Sequence, residues 1–222
     1  MNEYLLLKLL HLLAFVYWLG GDLGTFFSSR FVANPKLSPA QRMTALQIML
    51  GCDQGPKLCM PLIFGLGYSM AESVGFLSAP GWVEILVWVI TLGWFANVNY
   101  LYFTNNQAAK ARIGQIDLWF RIAVVLLLGG WAIAGLLGMA PIHADWLALK
   151  ILIFAGLVAC GVYIRIHLKP FVAAFGQLMS QGSSPAVESQ LGQSLARVRP
   201  AVYLIWVGLI VNAALGLHLI TV

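Results

Sequence analysis

The first apolar segment of the chain, residues 4–27, carries polar and aromatic side chains at helical spacing. They are Tyr4, Lys8, His11, Phe15, Trp18 and Asp22. At about 100° per residue, these positions fall within about 80° of one helix face. Imidazole is the usual protein ligand for haem iron and a common ligand for copper. Because an ionisable side chain in lipid costs about 2.5–3.5 kcal/mol, this face is expected to lie against protein or a bound group.

The elements that position this face are predicted to be membrane-spanning helices. Hydrophobic residues make up 60% of the 222-residue chain and charged residues 9%, whereas soluble domains contain about 25% charged residues. Apolar runs of about 20 residues match a hydrocarbon core about 30 Å thick. The chain is therefore predicted to be an all-α, polytopic membrane protein, with a single transmembrane domain over residues 1–222. Six runs predict a six-transmembrane-helix bundle: residues 4–27, 56–77, 82–104, 119–140, 146–168 and 199–221.

The charges of the connecting segments predict how these helices are oriented. The connections at residues 78–81 and 141–145 contain no Lys or Arg, whereas the other three connections are basic. Cytoplasmic loops of membrane proteins carry an excess of Lys and Arg. We therefore expect the basic connections to be cytoplasmic and both termini to lie on the outer, periplasmic side of a bacterial cytoplasmic (inner) membrane. The basic connections are residues 28–55, 105–118 and 165–198.

The first basic connection also contains a helix start signal. Ser38 is a favoured N-cap residue, and Pro39 suits the first helical position. A polar run then continues to Arg42. These residues predict a short interfacial helix over residues 39–52, ahead of the spanning segment 56–77.

With this orientation, several candidate ligands lie at the depth of His11, in the outer half of the membrane. They are Lys8, His11, Met70, Met139, Lys150 and His218. A b-type haem needs one or two axial ligands, commonly His with His or Met, and cations or hydrogen-bond donors for its propionates. His11 is therefore the predicted iron ligand and His218 its partner, with the two methionines as alternative axial ligands. Lys8 and Lys150 are placed to bind the propionates.

Copper is the competing metal for the same histidines. Cu(I) favours thiolates and thioethers together with histidine. The three cysteines, Cys52, Cys59 and Cys160, are expected on or toward the inner side, away from His11. This distribution argues against a high-affinity copper relay, but it leaves the passage of a metal open.

A second polar group is predicted in the inner half of the membrane, around Asp22. Asp53, Lys57 and Arg121 are its other charged members. Because a charge inside a membrane is usually paired, Asp22 is expected to form an ion pair with Lys57 or Arg121. A proton route or a quinone pocket that uses Asp22 is the alternative.

Three motifs in the first 32 residues carry a family resemblance: Lys8-Leu9-Leu10-His11, Trp18-Leu19-Gly20 and Arg30-Phe31-Val32. They resemble the first helix of the HemJ-type protoporphyrinogen IX oxidases and their relatives in the CopD-like copper-resistance group. Residues 61–65 resemble the second helix of that family, and residues 146–150 resemble its lysine-bearing helix. The resemblance implies that His11 ligates haem and that Lys150 is the functional, catalytic lysine. In length and appearance the chain is most similar to a related group of uncharacterised predicted integral membrane proteins.

The sequence therefore predicts a membrane protein that binds haem b and acts in electron transfer or as a membrane oxidoreductase. Two alternatives stay open: a CopD-like copper or metal permease, and a non-catalytic membrane subunit that scaffolds a partner. Membrane lipid is an expected partner, and a quinone, another redox partner and a second copy of the chain are further candidates. No nucleic-acid partner is expected, because the basic residues cluster in loops beside apolar runs, as in the positive-inside pattern.

Overall fold

The computed structural model of the chain describes residues 3–220. Over this range the chain is all-helical, and no β-strand is present apart from an isolated bridge between Leu77 and Ile142. The predicted all-α class is therefore confirmed. The helices are α1 (Glu3–Val32), α2 (Pro39–Ser73), α3 (Gly81–Phe103), α4 (Gln107–Leu136), α5 (Asp145–His167), α6 (Lys169–Gln181) and α7 (Pro185–Gly216).

Most of these helices are suited to a bilayer. Five helical segments in the described range are long and apolar enough to cross a membrane: α1, α3, α4, α5 together with α6, and α7. On α4, Leu126 and Leu127 are 69% and 71% exposed, as expected for side chains that face lipid. The sixth long helix, α2, has 35 residues and includes four charged side chains: Arg42, Asp53, Lys57 and Glu72. The chain is thus a helical bundle with the make-up of a multi-pass membrane protein.

Successive long helices run in opposite directions and give the bundle two distinct ends. At one end the short connections 74–80 and 137–144 pair with each other, because the Leu77 to Ile142 bridge is reinforced by a 2.9 Å bond from the amide of His143 to the carbonyl of Phe76. We call this the bridge end; α1 begins and α7 ends there. The opposite end holds α6 and most of the Lys and Arg residues, and we call it the basic end.

The predicted interfacial helix over residues 39–52 is not a separate element. It is continuous with the following segment, and together they form α2. Ser38 starts this helix through a capping box with Gln41, the reciprocal arrangement that satisfies two free amides. Pro56 lies inside this helix, where α1 packs closely beside it: a Cβ atom at the neighbouring Gly55 would lie only 3.0 Å from the carbonyl oxygen of Tyr17.

Three other boundaries differ from the sequence-based expectation at the basic end. α4 begins at Gln107 rather than near residue 119, because Asn106 accepts a 3.0 Å bond from the amide of Ala109. α7 begins at Pro185 rather than near residue 199, because Ser184 caps it in the same way. Residues 169–181, expected to be connection, form α6, whose apolar face packs against α7 and the end of α1.

The buried residues form three clusters along the bundle. The central one includes Trp18 and Val158, and the basic-end one includes Val32 and Leu191. The third, at the bridge end, includes Ala148 together with residues of α2 and α4. Because α2 packs along α1 and α5 packs against α7, these four helices surround the space between the central and bridge-end clusters.

Candidate ligand-binding cavity

A cavity of about 330 Å³ lies near the bridge end, lined mainly by α1, α2, α5 and α7. This volume is at the lower end of the range for small-molecule sites. Most of its wall is apolar and aromatic. Polar groups on the wall come from α1, α2, α5 and α7 and from the turn after α7: Lys8, His11, Tyr68, Lys150, Asn212 and His218. An apolar pocket with a few convergent polar groups is the usual form of a ligand site.

His11 lies on the cavity wall with its imidazole ring against α2. A Cβ atom at Gly67 would lie 3.0 Å from Cε1 and 3.5 Å from Nδ1 of this ring. Gly67 therefore lets the imidazole approach the α2 backbone. The Nδ1 atom is buried against α2, beside the backbone of Ile63, and makes no hydrogen bond of standard geometry to a described residue. The ring itself lies on the cavity wall, where it can contact a ligand.

Lys150 reaches the cavity from the second turn of α5. Its Nζ lies 5.8 Å from the ring centroid of Trp146, and a Cβ atom at Gly216 would lie 2.5 Å from this Nζ. Gly216 thus leaves the space that the lysine occupies where α5 meets α7. Lys150 forms no ion pair with any residue between 3 and 220. A cation without a carboxylate partner on a largely apolar wall favours an anionic ligand group.

Asn212 on α7 adds a polar group that sequence reasoning missed. Its amide nitrogen donates a 3.3 Å bond to the carbonyl of Lys150, whereas its Oδ1 is buried and unpaired within the described part of the chain. The hydroxyl of Tyr68 on α2 is unpaired in the same way. The signal for Asn212 was present in the sequence, because a lone amide in an apolar spanning helix usually faces the bundle interior or a polar cavity.

The other predicted ligands differ in position. Lys8, Met70 and His218 line the cavity with His11 and Lys150. His218 is exposed, and its ring lies edge-on to Trp146 with 5.1 Å between centroids. Met139 does not line the cavity: it is 78% exposed in the connection between α4 and α5. The structure therefore brings together all of the predicted binding residues except Met139.

The predicted ion pair of Asp22 with Lys57 or Arg121 is wrong. Lys57 pairs instead with Asp53, and Arg121 with Asp117 at 2.8 Å. In both cases the carboxylate lies four residues earlier on the same helix, where helical geometry brings the side chains together. The Oδ2 atom of Asp22 is buried and has no partner within residues 3–220.

Asp117 is the centre of a network that sequence reasoning did not find. Besides Arg121, it accepts bonds of 2.5 Å from Arg165 and 3.0 Å from Asn97. Its carboxylate is only 1% exposed. The four-residue spacing of Asp117 and Arg121 could have indicated this pair. It was missed because residue 117 was expected to lie in a connection, whereas α4 begins 12 residues earlier than predicted and includes it.

Neither a cluster of metal-binding side chains in the described residues nor a match to a known protein assigns a function to the cavity. Among the described residues there is no group of three or more His, Cys, Asp or Glu side chains that could hold a metal ion; a haem needs only one or two axial ligands. No protein-family model, curated protein or solved structure matches the chain.

Proposed function

We propose that the chain binds b-type haem in the bridge-end cavity and acts in electron transfer or as a membrane oxidoreductase, as the resemblance to the HemJ-type oxidases implies. The observation that carries this proposal is that an imidazole and an unpaired lysine line one apolar cavity. His11 and Lys150 are both on its wall, and Lys150 has no carboxylate partner in the described range. Haem combines a metal that binds imidazole with carboxylates that bind cations.

The walls of the cavity suit a flat, apolar macrocycle. Phe64 and Phe154 line it and stack on each other with 5.6 Å between ring centroids. Trp131 and Trp146 contribute further aromatic surface. The residues present therefore fit haem in three respects: an axial imidazole, cationic groups near the membrane surface, and aromatic walls.

Each polar residue then has a distinct role. His11 would bind the haem iron, and His218 or Met70 would be a second ligand. Lys150 and Lys8 would hold the propionates, and Lys150 is also the candidate catalytic residue because it corresponds to the functional lysine of the resembling family. When bound, haem supplies one-electron chemistry that no protein side chain of this site can provide.

The decisive experiment is the visible spectrum of the purified protein after expression with added haem precursor. We expect a Soret band that is lost or strongly shifted in His11→Ala. His143→Ala is the matched control, because this exposed histidine bonds to Ser78 and does not line the cavity. Absence of the band from the wild-type protein, or an unchanged band in His11→Ala, would refute haem binding at His11.

The alternatives have less support. A copper or metal permease would be favoured by a cluster of metal-binding side chains, and the described residues contain no group of three. A scaffolding subunit has no specific observation in its favour. Loss of metal-dependent resistance in His11→Ala, without a chromophore, would favour the permease, and co-purification of a second polypeptide would favour the scaffold.

We also propose six membrane spans, one for each long helix, with both termini on the periplasmic side of a bacterial cytoplasmic membrane. The connections 74–80 and 137–144 at the bridge end contain no Lys or Arg, and the basic end is rich in both, which agrees with the positive-inside rule. Cysteine substitution in a cysteine-free background tests this orientation in intact cells. Ser78→Cys should react with a membrane-impermeant maleimide and Ser183→Cys should not; the reverse result would invert the topology.

A further inference from the structure

Two arginines at the basic end lie beside the same aromatic ring. The Cζ atom of Arg30 on α1 is 5.1 Å from the ring centroid of Phe26, and the Cζ atom of Arg199 on α7 is 5.8 Å from it. Neither arginine forms an ion pair with a carboxylate of residues 3–220. The surface where α1 and α7 meet is therefore positively charged here, and no ion pair of the described residues neutralises it.

Two buried hydrogen-bond donors next to Phe26 also lack acceptors. They are Nε of Arg199 and Nε1 of Trp206, and neither atom has a partner in the part of the chain that the structure describes. The rings of Phe26 and Trp206 are 5.1 Å apart between centroids. Guanidinium and indole groups donate hydrogen bonds and do not accept them. A ligand bound here would therefore need acceptor atoms, and the adjacent arginine charges favour an anion.

The position of this group along the bundle matches the membrane interface. The rise from Arg199 to the end of α7 at Gly216 is about 26 Å at 1.5 Å per residue, close to the hydrocarbon thickness of about 30 Å. Tyr203 lies between Arg199 and Trp206 on the same face and is 47% exposed, and Phe27 on α1 is 52% exposed. Apolar and aromatic side chains at this depth typically contact lipid.

We propose that this cluster, formed by Phe26, Arg30, Arg199, Tyr203 and Trp206, binds the phosphate group of an anionic phospholipid. Arg binds phosphate through charge-assisted hydrogen bonds, and basic pockets between spanning helices are established sites for anionic headgroups. The exposed apolar side chains beside the arginines favour a lipid over free phosphate, because acyl chains can lie along Phe27 and Tyr203. The site is at the opposite end of the bundle from the cavity and does not depend on haem binding.

Native mass spectrometry of the full-length protein in detergent tests the proposal. The protein is titrated with phosphatidylglycerol or phosphatidylcholine, and the apparent Kd of the first bound lipid is measured. We expect phosphatidylglycerol to bind at least about tenfold more tightly, and Arg199→Gln to remove this preference, because a hydrogen bond to a charged group has a large effect on affinity. Trp206→Phe keeps the aromatic ring but removes one donor, and it should weaken binding about threefold.

Arg197→Gln is the matched control. It removes the same charge from the same helix at an exposed position, and it should change the Kd less than about twofold. Equal effects of Arg197→Gln and Arg199→Gln, or equal affinities of the wild-type protein for both lipids, would overturn the proposal. Binding of inorganic phosphate with the same sensitivity to Arg199→Gln would overturn the lipid assignment.

Thermal unfolding in lipid-free detergent distinguishes a binding defect from a folding defect. The wild-type protein and both test variants should unfold at similar temperatures without lipid. If Arg199→Gln does not fold, Trp206→Phe decides: unchanged binding of phosphatidylglycerol by this variant would refute the site.

Discussion

Arg42 at the basic end and Lys150 at the bridge end are both largely buried, but only Arg42 is paired within the described chain. Near the basic end, Arg42 is only 1% exposed and is fully paired: it donates bonds of 2.7 and 3.1 Å to Glu188 and a further 2.7 Å bond to the carbonyl of Val32. In the bridge-end cavity, Lys150 forms no ion pair within residues 3–220. Pairing within the chain indicates a structural role for Arg42, whereas an unpaired lysine on a cavity wall supports the proposed ligand site.

The Arg42 pair also explains how the basic end is assembled. Glu188 lies in the first turn of α7, Val32 ends α1, and Arg42 lies near the start of α2. One guanidinium therefore joins three helices that are distant in sequence. Ser183 donates a further 2.6 Å bond to Glu188, so the connection after α6 is tied to the same carboxylate.

The largest effect is expected from Arg42→Ala. Removing one partner of a buried ion pair leaves Glu188 without its main donor, and we expect the free energy of unfolding to fall by about 3–5 kcal/mol. Denaturant or thermal unfolding in detergent measures this change. Arg112→Ala, at an exposed position of α4, is the control and should have little effect. A stability equal to that of the control variant would remove the structural role assigned to Arg42.

A somewhat smaller effect is expected from Asp117→Asn. The change removes the only negative charge that faces Arg121 and Arg165 in the described network, and it should destabilise the protein by about 2–3 kcal/mol. The expected loss of stability is smaller than for Arg42→Ala because the Arg165 side chain is 37% exposed and water can solvate its charge. Asp145→Asn, at the exposed start of α5, should cost less than about 1 kcal/mol. Similar losses in both variants would contradict the network.

Gly67→Ala is expected to separate ligand binding from stability. The new Cβ atom would lie 3.0 Å from the His11 ring, so the ring must shift by a few tenths of an ångström. We expect reduced haem occupancy or a shifted Soret band, while the unfolding free energy without haem changes by less than about 1 kcal/mol.

Gly20→Ala is the control for this variant, because a Cβ atom there meets no other atom within 4 Å. It should leave the spectrum unchanged. Identical spectra for the wild-type protein, Gly67→Ala and Gly20→Ala would show that the position of the His11 ring against α2 has no effect on the ligand.

The smallest effect concerns pH. Glu188 lies at the basic end, in the first turn of α7 beyond the proposed spanning segment 199–221, and hydrogen bonding to Arg42 lowers its pKa below the ordinary value of 4.5. A carboxylate with a lowered pKa in the folded state contributes stability that is present above pH 4.5 and is lost as pH falls through the folded pKa. Unfolding measured between pH 6 and about pH 3 should therefore show a shallower loss of stability in Glu188→Gln than in the wild-type protein. Parallel curves would show that this pair does not contribute to acid sensitivity.

Much of the fold follows from local properties of the sequence. Apolar runs with few charges predict lipid-exposed helices because the bilayer requires the backbone to satisfy its own hydrogen bonds. The spacing of Lys8 and His11 placed both on one face of α1, and both line the cavity. The helix starts at Asn106 and Ser184 depend on N-cap bonds. They were missed because hydropathy marks where a helix becomes apolar, not where it begins.

The partners of each side chain could not be predicted in the same way. Asp22 was expected to pair with Lys57 or Arg121, but each cation has a nearer carboxylate on its own helix. Met139 was placed at the right end of the bundle, yet it lies in an exposed connection outside the cavity. The end of the bundle at which a residue lies was predictable from helix length and loop charge, but the direction of a side chain around the bundle axis was not.

The sequence by itself determined the helical class, the approximate positions of the long helices and the polar face of α1, because composition and 3.6-residue periodicity are local properties. Only the tertiary structure decided which groups meet. α2 approaches α1, and α7 approaches α5, so closely that the missing Cβ atoms of Gly67 and Gly216 make room for His11 and Lys150. The same approach of α7 to α5 lets Asn212 bond to the carbonyl of Lys150. Such approaches depend on the packing of whole helices against each other, and no single segment specifies them.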